Sequence, residues 1–152
     1  MTTTAPAGAP ADARALGLAH YAARGVLEHV LARHGLTFGQ QVVLRAVLTA
    51  DGPPAAEDVV GQVRRSLKSD PAEIRATIDE LLTRRLLVTD GGHLRPTEAG
   101  REVTAAAGAE VAPVSARIWG AIPAEDLAAA GRVLALVTER ADAELEALNS
   151  TR

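Results

Sequence analysis

The sequence predicts a mainly α-helical fold interrupted by one small β-hairpin. Three observations carry this expectation. From Asp70 to Leu82, apolar residues recur with helical spacing behind a capping aspartate and a proline. Asp90-Gly91-Gly92 then separates two short strand-like runs, Leu86-Leu87-Val88-Thr89 and His93-Leu94-Arg95, as a tight hairpin turn does. Long stretches with helical periodicity flank this centre on both sides. Of 152 residues, 47% are hydrophobic but only 2% aromatic, a composition of small side chains that suits packed helices better than a β-sandwich.

Taken in order, residues 1–11 read as a disordered tail. MTTTAPAGAP lacks the basic segment and apolar core of a signal peptide. A first helix follows from about Asp12 to His34, with Leu16, Ala19, Ala23, Leu27, Val30 and Leu31 inward and Gly35 as its stop. Thr37 and Gln40 form a capping box for a second helix, which buries Val43, Leu44, Val47 and Leu48 and ends at Asp51-Gly52-Pro53-Pro54. A third helix, about Ala55 to Leu67, turns Val59, Val60, Val63 and Leu67 inward. Three or four residues later comes the fourth, with Asp70 as N-cap, Pro71 at its first position and Glu73 placed for a capping box. Ile74, Ile78, Leu81 and Leu82 are its core face.

After the hairpin, Pro96 ends the second strand and Thr97 caps a fifth helix to about Gly120, which Pro113 kinks or breaks. Pro123 opens a sixth, to about Leu148, with Leu127, Leu134, Ala141 and Leu148 at sevenfold spacing, as in a helix lying along a partner helix. Two helices joined by a tight turn and followed by a hairpin make a winged helix-turn-helix, a module whose usual partner is DNA. The expected organisation is therefore a winged helix-turn-helix lobe at 36–97 flanked by helical regions at 12–35 and 98–148.

Composition narrows the function further. The net charge is −3, but from Val60 to Arg95 seven basic residues face five acidic ones, a small local positive bias. Without cysteine there is no disulfide framework or thiolate metal site, which fits a cytoplasmic protein. No apolar run approaches a membrane span. His20, His29 and His34 have no metal-ligand spacing. No nucleophile elbow or Gly-rich phosphate loop is present, so neither an enzyme nor a cofactor is expected.

Four stretches resemble the MarR family of bacterial transcriptional regulators. Leu36-Thr37 with Gln40 and Val43-Leu44 is similar to the family's approach to its second helix. Ile78-Asp79-Glu80-Leu81 with Arg84, Leu86 and Leu87 resembles the end of its recognition helix and first wing strand. Leu94 to Gly100, and Ile122-Pro123-Ala124-Glu125-Asp126-Leu127, resemble its exit from the wing and the start of its last helix. The resemblance implies a homodimer built from the first, fifth and sixth helices, and a pseudo-palindromic DNA operator read by two recognition helices about 34 Å apart. It also implies repression relieved by a small-molecule effector. The sequence departs from the family in three places. The wing tip lacks the usual Asp-x-Arg element, Arg85 stands where glycine is usual, and Arg64 falls near a small-residue position.

On this reading Arg75 is the first candidate for base contact. It lies opposite Ile74 and Ile78, one turn into the recognition helix, unless it pairs with Asp79 at i+4. Arg65, Lys68 and Ser69, at the turn, are candidates for phosphate contact, as are Arg84 and Arg95 beside the wing. Asp70 and Glu73 favour the helix dipole but repel phosphate. A ligand pocket between the dimer helices and the lobe would draw on His20, Tyr21 and Trp119, with Arg45 as a carboxylate partner, although core or dimer packing is the favoured account of the two aromatics. The rival reading is a MarR-shaped module that binds a ligand or protein without gripping an operator.

Overall fold

Caps and apolar stripes divide residues 8–151, those that the computed structural model describes, into six helices and one hairpin. The order is α1 (Ala13–Arg33), α2 (Phe38–Leu48), α3 (Ala56–Leu67), α4 (Pro71–Thr83), β1 (Leu87–Asp90), β2 (His93–Pro96), α5 (Glu98–Trp119) and α6 (Ala124–Ser150). The expected tail falls largely outside the described residues, which begin with an irregular stretch before α1. The chain forms two compact units, Met1–Ala112 and Pro113–Arg152. The boundary falls on Pro113, yet α5 continues through this residue as one helical element rather than breaking there. Among the described residues, no helix is long and apolar enough to cross a membrane.

Helix ends are set by local chemistry. Asp12 caps α1 by accepting from the Ala15 amide at 2.8 Å. Gly35 closes α1 at φ 66°, with its own amide on Ala32 O and the Leu36 amide on Leu31 O, a Schellman turn. Thr37 and Gln40 form the expected capping box of α2. A second Schellman turn ends α4, where the Arg85 amide reaches Leu82 O and the Leu86 amide reaches Leu81 O. Here the left-handed position, φ 56°, is held by an arginine. The sequence thus departs from glycine at the residue where the backbone most favours it.

The core of the first unit is made by α2, α3, α4 and the hairpin. Val43, Leu44, Val59, Leu81, Leu87 and Leu94 are all at most 1% exposed. Those on α2 to α4 lie on the inward faces that periodicity predicts, although Leu48, Leu67 and Leu82 of the same stripes are only partly buried. The first helix differs from expectation. Only Val30 and Leu31 are buried there, Leu27 is partly buried, and Leu16 is 41% exposed. Its apolar N-terminal half has no covering partner within the chain's own core. In the second unit, α6 carries no buried residue at all.

β1 and β2 pair antiparallel, with Leu87 opposite Pro96 and Asp90 opposite His93. Gly91 and Gly92 (φ 56° and 80°) make the two-residue turn, which needs positive φ at both positions. The hairpin is also pinned to the loop before α3, a contact without a sequence signal. The Leu94 amide donates to Pro54 O at 2.8 Å and the Ala56 amide to Gly92 O at 3.0 Å. At its far end, the Thr97 hydroxyl lies 2.7 Å from Arg85 O and accepts from the Gly100 amide at 3.0 Å. Gly100 packs so tightly on Leu86 that a Cβ there would overlap the Leu86 carbonyl oxygen.

Candidate nucleic-acid interface

The turn between α3 and α4 is only three residues long. Lys68 ends α3 in the left-handed region (φ 54°), and its amide donates to Arg64 O at 2.8 Å. Asp70 begins α4 by accepting from the Ala72 amide at 2.7 Å, and Pro71 occupies the first turn without an amide to satisfy. The capping box expected with Glu73 is replaced by this shorter bond to Ala72. Glu73 instead lines a neighbouring cavity.

Arg75 projects from the first half of α4 and is 52% exposed. Its partner is Glu57, in the first turn of α3, rather than Asp79 one turn further along α4. Arg75 Nε donates to Glu57 Oε1 at 3.0 Å and Nη2 donates to Oε2 at 2.8 Å, a bidentate pair. The hydrogen bond from Arg75 holds the Glu57 carboxyl below the usual glutamate range, against a small opposing effect of desolvation. The same bond raises the Arg75 guanidinium further above its ordinary value. A lowered carboxylate keeps the pair intact at neutral pH and releases it only as pH falls through that lowered value.

The other candidates divide by their surroundings. Arg84 caps the C-terminal end of α4 and is exposed, and its Nη1 donates to Gln40 Oε1 at 2.9 Å. Gln40, 5% exposed, also accepts from the Thr37 amide and donates to Glu80 at 3.0 Å, so it joins α2 to α4. Sequence reasoning read Gln40 only as a cap, because its long-range partners depend on how the two helices cross. Arg95 pairs across the hairpin with Asp90 at 2.9 Å. With glycines at both turn positions, the wing therefore offers one arginine, already matched to a carboxylate. Lys68 Nζ donates to Arg65 O at 2.6 Å. Arg65 is exposed near the end of α3, with its guanidinium beside Gly61. Ser69, in the turn, is half-buried.

Ser69 also lines a cavity of about 320 Å³ between α1, α2, α3 and α4, with His20, Arg24, Phe38, Glu73 and Thr77. Arg24 lies over the Phe38 ring at 4.5 Å and bonds Glu28 at 2.8 Å. Of the four expected ligand residues, this cavity gathers His20. Tyr21 packs edge-on against His20 at 5.3 Å but is 71% exposed. Arg45 is exposed on α2, and Trp119, 52% exposed, belongs to the second unit. Among the described residues no cluster of three or more His, Asp or Glu side chains could hold a metal. His34 is engaged by Glu110 at 2.7 Å.

A tight helix-turn-helix followed by a hairpin defines a winged-helix protein, and comparison with solved structures narrows this to one type. A MarR-family transcriptional regulator from Rhodococcus sp. RHA1 matches with 23% identity and a TM-score of 0.67, over 81% of this chain and 90% of that one. CouR from Rhodococcus jostii RHA1, bound to p-coumaroyl-CoA, matches with 22% identity and a TM-score of 0.68, over 81% and 88%. A MarR-family protein of Mycobacterium tuberculosis in complex with DNA matches with 19% identity and a TM-score of 0.63, over 84% and 98%. No protein-family model matches the sequence, and no curated protein does. The chain has the MarR-type winged helix-turn-helix fold.

Proposed function

We propose that the protein is a transcriptional regulator that binds double-stranded DNA as a homodimer, with α4 in the major groove. The observation that carries this reading is Arg75. It is an exposed, oriented guanidinium in the first half of a capped helix that follows a three-residue turn, where such motifs reach base edges. Arg65, Lys68 and Ser69 lie at the turn, in position for backbone phosphates. The Mycobacterium tuberculosis neighbour was solved with DNA, in keeping with the same use of the fold.

Dimerisation is supported by apolar surface that the single chain leaves uncovered. Leu18 and Tyr21 on α1 are 63% and 71% exposed, and Leu134, Val137 and Leu148 on α6 between 43% and 66%. Helical stripes of this kind need a covering partner, and a second copy supplies matching stripes. A repressor released by a small effector is the mode of action we assign. The cavity beside Ser69 and Thr77 touches both the turn and α4, so an occupant would bias their position.

A ligand- or protein-binding module that has lost operator binding is the second reading. It is favoured by the Asp90–Arg95 pair and the glycine-only turn, which leave the wing without a minor-groove arginine. Titrating labelled DNA flanking the protein's own gene decides between them. The regulator forms a salt-sensitive complex of two chains per duplex, whereas absence of any complex at low salt favours the module.

A further inference from the structure

We propose that Glu57 is a positioning residue for DNA recognition, which holds Arg75 so that the terminal edge of its guanidinium reads a guanine. This rests on the DNA-binding reading above and adds to it a residue and a base.

The bidentate pair occupies one long edge of the guanidinium, Nε and Nη2. Among the described residues these are the only hydrogen bonds that the Arg75 side chain makes. The terminal edge, with one N–H on each of Nη1 and Nη2, is left with two parallel donors. Guanine presents two parallel acceptors in the major groove, O6 and N7, and arginine meets them with such a fork. An arginine without a partner samples many rotamers, and its charge is drawn to any nearby phosphate. Glu57 removes that freedom and offsets part of the charge, so phosphate attraction counts for less and base geometry for more.

Glu57 is itself held in place by the backbone. It follows directly on the segment that the hairpin grips, where Ala56 N–H meets Gly92 O and Pro54 O accepts from Leu94 N–H. The short wing thus anchors the start of α3, and through Glu57 it orients Arg75. Asp70 adds a weaker Coulombic attraction to Arg75 without a hydrogen bond, so Glu57 is the partner that fixes direction.

The test uses the full chain and a pool of duplexes with a randomised central segment, selected at low salt. Preferred and singly substituted duplexes are then titrated with wild type, Glu57→Ala, Glu57→Gln, Arg75→Ala and Arg75→Lys. We expect the wild type to prefer guanine at one position per half-site by about 5- to 150-fold, the discrimination of one bidentate pair. Glu57→Ala and Arg75→Lys should lose about tenfold or more of that preference while retaining, or gaining, affinity for unrelated duplexes. Glu57→Gln, which can accept at one oxygen only, should fall between wild type and Glu57→Ala. A merely structural role would weaken all duplexes alike. If Glu57→Ala binds every duplex more tightly with its guanine preference intact, Glu57 is an inhibitory clasp and the proposal is overturned. A wild-type chain that enriches no duplex overturns the DNA reading and this inference together.

Discussion

The two ends of α4 are held by similar polar contacts to partners in opposite surroundings, one buried and one exposed. At the inner end, its C-terminal turn, the exposed residues Arg84 and Glu80 meet Gln40, whose side chain is nearly inaccessible. At the outer end, Arg75 meets Glu57 with both side chains more than half exposed. Buried polar groups are costly to leave without partners, whereas exposed ion pairs contribute little stability. The inner network therefore serves the fold, and the outer pair is available for recognition. One helix is fixed at one end and presented at the other.

The largest losses of stability are expected where α4 meets the rest of the fold. Gly100→Ala drives a Cβ into the rigid Leu86 carbonyl and should destabilise by about 3 kcal/mol, read by chemical denaturation. Gln40→Ala removes the acceptor of Arg84 and the donor to Glu80 together with half of the α2 capping box. We expect a loss of about 2 kcal/mol. Arg85→Gly relieves the left-handed arginine that closes α4. Its strain of about 1–2 kcal/mol is offset in part by glycine's greater freedom in the unfolded chain, so stability should rise by about 0.5–1 kcal/mol. At the outer end, Arg75→Ala should leave the thermal midpoint close to that of wild type.

Much of the fold was legible because its signals are local. Thr37 with Gln40, Asp70 with Pro71, and the Gly91-Gly92 turn each determine backbone geometry within a few residues, and each stands where the sequence places it. The stripes of α2, α3 and α4 are equally plain because those helices share one core. The first helix misled in its N-terminal half because periodicity shows that a face needs covering, not that its own chain covers it. The same limit applies to α6.

The candidate site was legible only by halves. Arg75 could be placed on the outer face of α4 from Ile74 and Ile78. Glu57, 18 residues earlier, could not be paired with it, because that contact depends on the crossing of α3 over α4. The sequence offered Asp79 because i+4 neighbours are the pairs a single helix defines. Gln40 and the docking of the hairpin on Pro54 and Ala56 were hidden for the same reason, since both are made across elements. Arg85 is the converse case. The sequence marks it as standing where the MarR pattern has glycine, and the backbone there is left-handed at the close of α4.

If the exposed end of α4 reads DNA while its inner end secures the fold, Arg75→Ala separates the two roles. Its thermal midpoint and its affinity for the DNA flanking the protein's own gene should be measured side by side with wild type. We predict an unchanged midpoint and the loss of sequence-specific binding, with only weak, salt-sensitive association remaining. Specific binding at wild-type strength by the folded variant would contradict the account.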